Sequence, residues 1–162
     1  MRERMTALYK LVIESAPGHD LIDLTDELSK VFLGGVAEDQ SFKLCFAIHE
    51  LMINAVEAVV KLGESSGEEQ AAVTTITMTL RMVQDEVFVS ISNQAGPQVV
   101  ATLEEASRGS MESLFQEERG RGIMLAQMIA DGLTFDQDAS GRLTIELWKK
   151  GVNRGAGASH SI

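Results

Sequence analysis

Apolar and polar positions alternate most cleanly between Thr75 and Met82. Ile76, Met78, Leu80 and Met82 take turns with Thr75, Thr77, Thr79 and Arg81. That period of two predicts a strand with one face buried and the other polar. A turn at Gln84-Asp85 leads to Val87, Val89 and Ile91, the buried set of a second strand, so the pair reads as an antiparallel hairpin. Earlier, Leu8 to Ser15 is rich in β-formers and stops at Pro17-Gly18, predicting a first strand. From Asp20 to Leu33 the apolar residues Leu21, Leu24, Leu28 and Val31/Phe32 recur at helical spacing, and Gly34-Gly35 ends the run. A longer helix, capped by Asp39 or Ser41, runs to about Leu62.

Beyond the hairpin, Asn93 to Pro97 breaks the strand. Val99 to Arg119 is polar, weakly helical and rich in Ser, Gly and Glu, which predicts a mobile connection. Gly120-Arg121-Gly122 opens a helix to about Ala130, and Leu133 to Gln137 with Leu143 to Lys149 form a last hairpin. The order β-α-α-β-β-α-β-β predicts an α/β fold. It is a two-layer sandwich whose mixed, mostly antiparallel sheet of about five strands carries its helices on one face. One domain occupies residues 1–150, and 151–162 is expected to be a disordered tail.

Composition narrows the function classes. A chain of 162 residues with 44% hydrophobic and 23% charged residues can bury a core without a metal or disulfide. Its net charge of -10 argues against nucleic acid or an anionic membrane as the main partner. The lone Cys45 excludes an internal disulfide and points to a reducing compartment. The start of the chain has no apolar run of signal-peptide length. Leu51 to Val60, among the longest apolar stretches, is interrupted by Asn54 and Glu57, so a cytoplasmic protein without a membrane span is expected.

Three elements could carry chemistry. On the long helix, Lys43, Glu50, Asn54, Glu57 and Lys61 share a stripe roughly 60° wide at ~100° per residue. Such a stripe is ordinarily only the solvated face of an amphipathic helix. Within it, however, Glu50 and Asn54 project together from adjacent turns. A carboxylate there can take a proton or orient water, and an amide oxygen is a neutral ligand for Mg²⁺. The second element is Glu118 to Leu125, where Gly120 and Gly122 flank Arg121 at a loop-to-helix junction. Free backbone N–H groups and the positive end of a helix dipole can receive phosphate there, with Arg119 and Arg121 as cationic donors. No Gly-Lys-Ser/Thr follows, so it is not a P-loop. The third is Ser92 to Pro97, either a plain turn or a ligand loop in which Asn93 reads a base and Gly96 gives close approach. His19, His49 and His160 have no metal-ligand spacing. His49 and Cys45 read as residues packed near or in the core, and Trp148 as an interface or sheet-edge residue.

The order of these elements resembles the ATP-binding fold shared by sensor histidine kinases, gyrase-type ATPases and ninety-kilodalton heat-shock chaperones. The closest resemblance is to the anti-sigma-factor serine kinases of bacterial partner-switching systems. His49-Glu50-Leu51-Met52-Ile53-Asn54-Ala55-Val56-Glu57-Ala58 is similar to that family's asparagine box, and Glu118 to Leu125 to its second glycine box. The resemblance spans about Leu8 to Lys150. It implies an ATP- and Mg²⁺-dependent protein serine/threonine kinase that phosphorylates an anti-sigma-factor antagonist, captures a sigma factor and forms a homodimer. Glu50 would then activate the attacking hydroxyl and Asn54 would bind Mg²⁺. Arg119, Gly120, Arg121 and Gly122 would meet the phosphates under a lid formed by 99–119.

The first glycine box departs from the family. Asn93, Ala95 and Pro97 stand where the family has Asp and Gly-x-Gly, with Gly96 displaced, and Leu143 stands where it tends to carry Thr. These departures motivate an alternative, a pseudokinase that captures partners without catalysis. A third class, a detached domain that phosphorylates a histidine on another protein, would leave acid-labile phosphate on its target.

Overall fold

In the computed structural model, residues 8–66, 74–108 and 121–153 are described. Strand β1 (Leu8–Ser15) leads into helices α1 (His19–Phe32) and α2 (Glu38–Ser66). The hairpin β2 (Ile76–Val83) and β3 (Glu86–Gln94) follows, then helices α3 (Pro97–Arg108) and α4 (Arg121–Ile129), and the hairpin β4 (Gly132–Gln137) and β5 (Arg142–Lys150).

The five strands form one open sheet in the order β1-β2-β3-β5-β4. Every neighbouring pair is antiparallel, so the expected parallel component is missing. The reason is geometric. Two helices of opposite sense return the chain to the end of the sheet it left, which makes β2 antiparallel to β1.

The alternation read from the sequence holds across the sheet. Ile76, Met78 and Leu80, then Val87, Val89 and Ile91, then Leu143, Ile145 and Leu147 are buried on one face. Leu44, Ile48, Leu51, Met52, Ala55 and Val59 from α2 meet them in the same core. Helices and sheet thus make two layers. On the opposite face Trp148 lies against Gly132 of β4, where any side chain would collide with its indole ring. Of its two predicted roles, sheet-edge packing is the one the structure shows.

Helix α1 buries Leu21, Thr25 and Ser29. The two hydroxyls are satisfied within the helix, Thr25 Oγ1 donating to Ile22 O at 3.0 Å and Ser29 Oγ to Thr25 O at 2.6 Å. The hairpin turn works because Gln84 takes φ 55°, the left-handed conformation that tight two-residue loops use.

Three further expectations need correction. Helix α2 begins at Glu38, so Asp39 and Ser41 lie inside its first turn instead of capping it. The segment from Val99, expected to be a mobile connection, begins instead with helix α3. Pro97 starts it, Leu103 is buried, and Val99 and Val100 pack on the core. Residues 109–119 lie outside the described residues. The domain also extends past 150. Val152 is fully buried, its N–H donates to Asp85 O at 3.2 Å, and its carbonyl accepts from Ala37 N at 2.9 Å. Asn153 N donates to Asp85 Oδ1 at 2.6 Å, and Asn153 pairs with Val36 in an isolated antiparallel bridge. This short clasp joins the β2–β3 turn to the α1–α2 turn. Residues 154–162, the rest of the expected tail, lie outside the described residues. No helix among the described residues is long and apolar enough to cross a membrane.

Candidate functional site

Helix α2 separates the members of its polar stripe. Lys43, Glu57 and Lys61 are exposed, whereas Glu50 and Asn54 are half-buried. The shelter comes from α4, which packs beside α2. At the contact Gly122 touches Glu50. A Cβ added to Gly122 would stand 2.7 Å from Glu50 Oε2 and 3.0 Å from Glu50 Cβ. A side chain on Gly122 would therefore crowd Glu50, and two residues predicted independently from the sequence meet.

Not every predicted residue is described. Arg119 and Gly120 lie outside the described residues, and the side chain of Arg121, the first residue of α4, is also outside them. Gly96 precedes α3, and its carbonyl accepts from Val99 N at 3.1 Å. A Cβ on Gly96 would meet nothing within 4 Å, so neighbouring side chains do not demand glycine there.

Asn93 is 1% exposed, the only buried side-chain amide among the described residues. It follows Ile91 on the helix-facing side of β3, directly across from Leu143 on β5. Asn93 Nδ2 donates to Gln94 O at 3.1 Å. A carboxamide here can offer both a donor and an acceptor, where a carboxylate would only accept. Leu143 is 2% exposed, as expected from keeping Ile145 and Leu147 inward.

The loop after Asn93 is pinned to the β4–β5 turn. Gln137 Nε2 donates to Ala95 O at 2.9 Å and to Gly141 O at 3.0 Å, and Ala95 N donates to Gly141 O at 3.2 Å. Gly141 adopts φ 88°, a conformation glycine tolerates without strain. Nearby, Arg142 reaches Thr77 Oγ1 at 3.0 Å and Ser92 O at 3.4 Å, and so ties β5 to β2 across the end of β3. Nothing in the sequence singles out Gln137 or Arg142, because their partners are backbone carbonyls and a hydroxyl far away in the chain.

A second pair also escaped the sequence reading. His49 Nδ1 donates to Asp26 of α1, at 2.9 and 3.0 Å from its two carboxylate oxygens. His49 is the residue before Glu50, so this bond helps hold the helix that presents Glu50. Cys45 is half-buried rather than in the core. It lines an open depression of about 310 Å³ with Lys30, Leu33 and Phe42. Its thiol is pushed up from the usual value, chiefly by burial, so it is not a reactive thiolate. This depression sits at the start of α2, ~20 Å along the helix from Asn54 at ~1.5 Å per residue.

Among the described residues no cluster of three or more His, Cys, Asp or Glu side chains could hold a metal ion alone. The donor set nevertheless fits Mg²⁺ brought with phosphates, because that ion usually keeps waters and phosphate oxygens and takes few protein ligands. Asn54 Oδ1 and the Glu50 carboxylate are suitable hard oxygens. No family model matches the chain, and no curated protein is significantly similar to it.

Proposed function

We propose that the chain is an ATP- and Mg²⁺-dependent protein serine/threonine kinase with the histidine-kinase-like ATPase fold. It acts as an anti-sigma factor or partner-switching regulator and phosphorylates an antagonist protein in the cytoplasm. The observation that carries the reading is the contact between Glu50 and Gly122. The carboxylate of the asparagine-box motif and the glycine near the start of α4 share one sheltered spot. The antiparallel sheet under helices and the buried amide at the end of β3 are consistent with it.

On this reading Glu50 takes the proton of the attacking hydroxyl, its carboxylate held beside the start of α4. Asn54, one turn further along α2, supplies an amide oxygen to Mg²⁺. The N-terminus of α4, beginning with Arg121 and Gly122, presents backbone N–H groups and the positive end of its dipole to phosphate. Asn93 bonds the edge of the base. Mg²⁺ would supply charge neutralisation on the phosphates, and positioning rather than covalent chemistry accounts for most of the rate.

Titration with MgATP tests the first step. Saturable binding is expected, and no binding at saturating nucleotide would sink the kinase reading. Glu50→Gln should then abolish transfer to an antagonist while ATP affinity stays nearly constant. Undiminished transfer would remove Glu50 from the role.

A second reading, the pseudokinase, is favoured by one observation. Asn93 is uncharged and faces Leu143 in the core. It predicts partner capture that does not depend on nucleotide.

A further inference from the structure

Neighbouring residues of an α-helix project ~100° apart. On α2 this sends His49 and Glu50 to different partners. His49 turns to α1, where its Nδ1 stands 2.9 and 3.0 Å from the two carboxylate oxygens of Asp26. Glu50 turns to α4, where it touches Gly122. One peptide bond therefore joins a residue tied to α1 and a residue fitted against α4.

The tie to α1 has a direction. A carboxylate can only accept, so Nδ1 carries the proton, and the near-equal distances centre its N–H between the two oxygens. Turning α2 about its axis in either sense spoils that geometry. Leu44, Ile48, Leu51 and Met52 hold α2 down on the sheet, but burial of apolar surface is non-directional. The margin at Glu50 is small. A side-chain atom ~5 Å from the helix axis moves ~1 Å for a turn of about 10°. A misplacement of ~1 Å at a reacting group can cost about 100-fold in rate.

We propose that Asp26 and His49 are positioning residues for phosphoryl transfer. Their bond sets the rotation of α2 and so keeps the Glu50 carboxylate aligned beside Gly122. This role rests on the kinase reading, in which the hydroxyl oxygen bonds the γ-phosphorus, its proton goes to Glu50, and the bond to the β-phosphate oxygen breaks to release ADP. Asp26 and His49 act through Glu50 and need no contact with the nucleotide. Two of the groups that this reading gives to ATP, Asn93 on β3 and the N-terminus of α4, stand on other elements, so alignment is lost with little loss of affinity. The His49 and Asp26 side chains are 37% and 28% exposed, and a pair so open to solvent contributes little to stability.

Three measurements on the full chain test the role: the Gly122 amide resonance, the affinity for MgATP, and the rate of phosphate release from MgATP with water as the acceptor. Urea midpoints show whether each variant is folded. Asp26→Ala should shift the Gly122 resonance and slow release at least tenfold. Its MgATP affinity should stay within about threefold of wild type and its urea midpoint nearly constant. Asp26→Asn keeps an acceptor for Nδ1–H and should restore both the resonance and most of the rate. An Asp26→Ala rate no lower than wild type overturns the proposal, as does an unmoved Gly122 resonance. An Asp26→Asn variant as slow as Asp26→Ala overturns it too, because the hydrogen bond would not be what matters. A wild type that binds no MgATP is a different failure. It sinks the kinase reading and this catalytic role with it, even where the Gly122 resonance still answers to Asp26.

Discussion

Gly122 and Glu50 are in contact across the α2–α4 interface, so that a side chain on the glycine would crowd the carboxylate and its Cβ. The first consequence concerns Gly122→Ala. The added methyl group would stand 3.0 Å from Glu50 Cβ, an atom fixed to the helix, and could not be cleared by rotating the carboxylate alone. The variant should lose about 1–3 kcal/mol of stability, as overpacked sites do. It should also lose phosphoryl transfer by more than that fraction of unfolded chain explains. Urea denaturation and an initial-rate assay check the two effects separately.

Asn93→Asp separates the two functional readings. An aspartate at this position would be buried opposite Leu143. Desolvation of the carboxylate should lower stability by roughly 2 kcal/mol or more, and raise the group's pKa in the folded chain. If the site holds a base, MgATP should recover much of the loss in a thermal melt, because the exocyclic amine of adenine gives the carboxylate a donor. If it holds none, the melting temperature should stay low with and without nucleotide.

Acid should expose the worth of the β4–β5 turn. The Ser140 hydroxyl, then the backbone N–H of Arg142, hold the Asp138 carboxyl below the usual carboxylate range. Asp138 Oδ1 accepts from Ser140 Oγ at 2.6 Å and from Arg142 N at 3.0 Å. A folded pKa below the unfolded one gives stability that is present above about pH 4 and lost as pH falls through the folded value. Asp138→Ala should therefore be less stable than wild type at neutral pH, and the gap should close towards pH 2. Urea midpoints across that range would show it. A gap that is constant with pH would mean the turn does not depend on the charge.

Gly132→Ala tests the opposite face of the sheet. The methyl group would drive the Trp148 ring off β4. Trp148 is the only tryptophan in the chain, so its fluorescence reports on that site alone. A red shift of the emission together with a loss of about 1–3 kcal/mol is expected. An unshifted spectrum would mean that the ring accommodates the change in place.

Much of the fold was legible because one face of the sheet is buried and the other is not. That asymmetry writes a period of two into β2, β3 and β5, and helical spacing into α1 and α2. Helix α3 read only as a weakly helical, mobile connection because its apolar positions, Val99, Val100 and Leu103, are few among polar neighbours. The clasp at Val152 was missed for another reason. It is held by backbone hydrogen bonds together with the side chains of Asp85 and Asn153, residues far apart in the chain whose meeting no local pattern announces. Within the candidate site, Glu50 and Asn54 were visible from helical spacing, and Gly122 from its place at a loop-to-helix junction. The shelter that distinguishes Glu50 and Asn54 from Glu57 and Lys61 was not visible, because it depends on where α4 packs. The His49–Asp26 bond joins residues from different helices and leaves no local trace either.

The clasp carries a kinetic consequence. Ala37 N–H donates to the carbonyl of Val152, so the turn between the first two helices is completed by a residue from beyond the last strand. During synthesis the helical hairpin emerges long before that residue does. It must wait, with its turn open, until the final hairpin has been made and docked. Contacts of such large sequence separation are slow to form, because the intervening chain must be ordered first. Val152→Asp should therefore slow the last step of refolding more than its first collapse, leaving a late intermediate in which the two ends of the domain have not yet been joined.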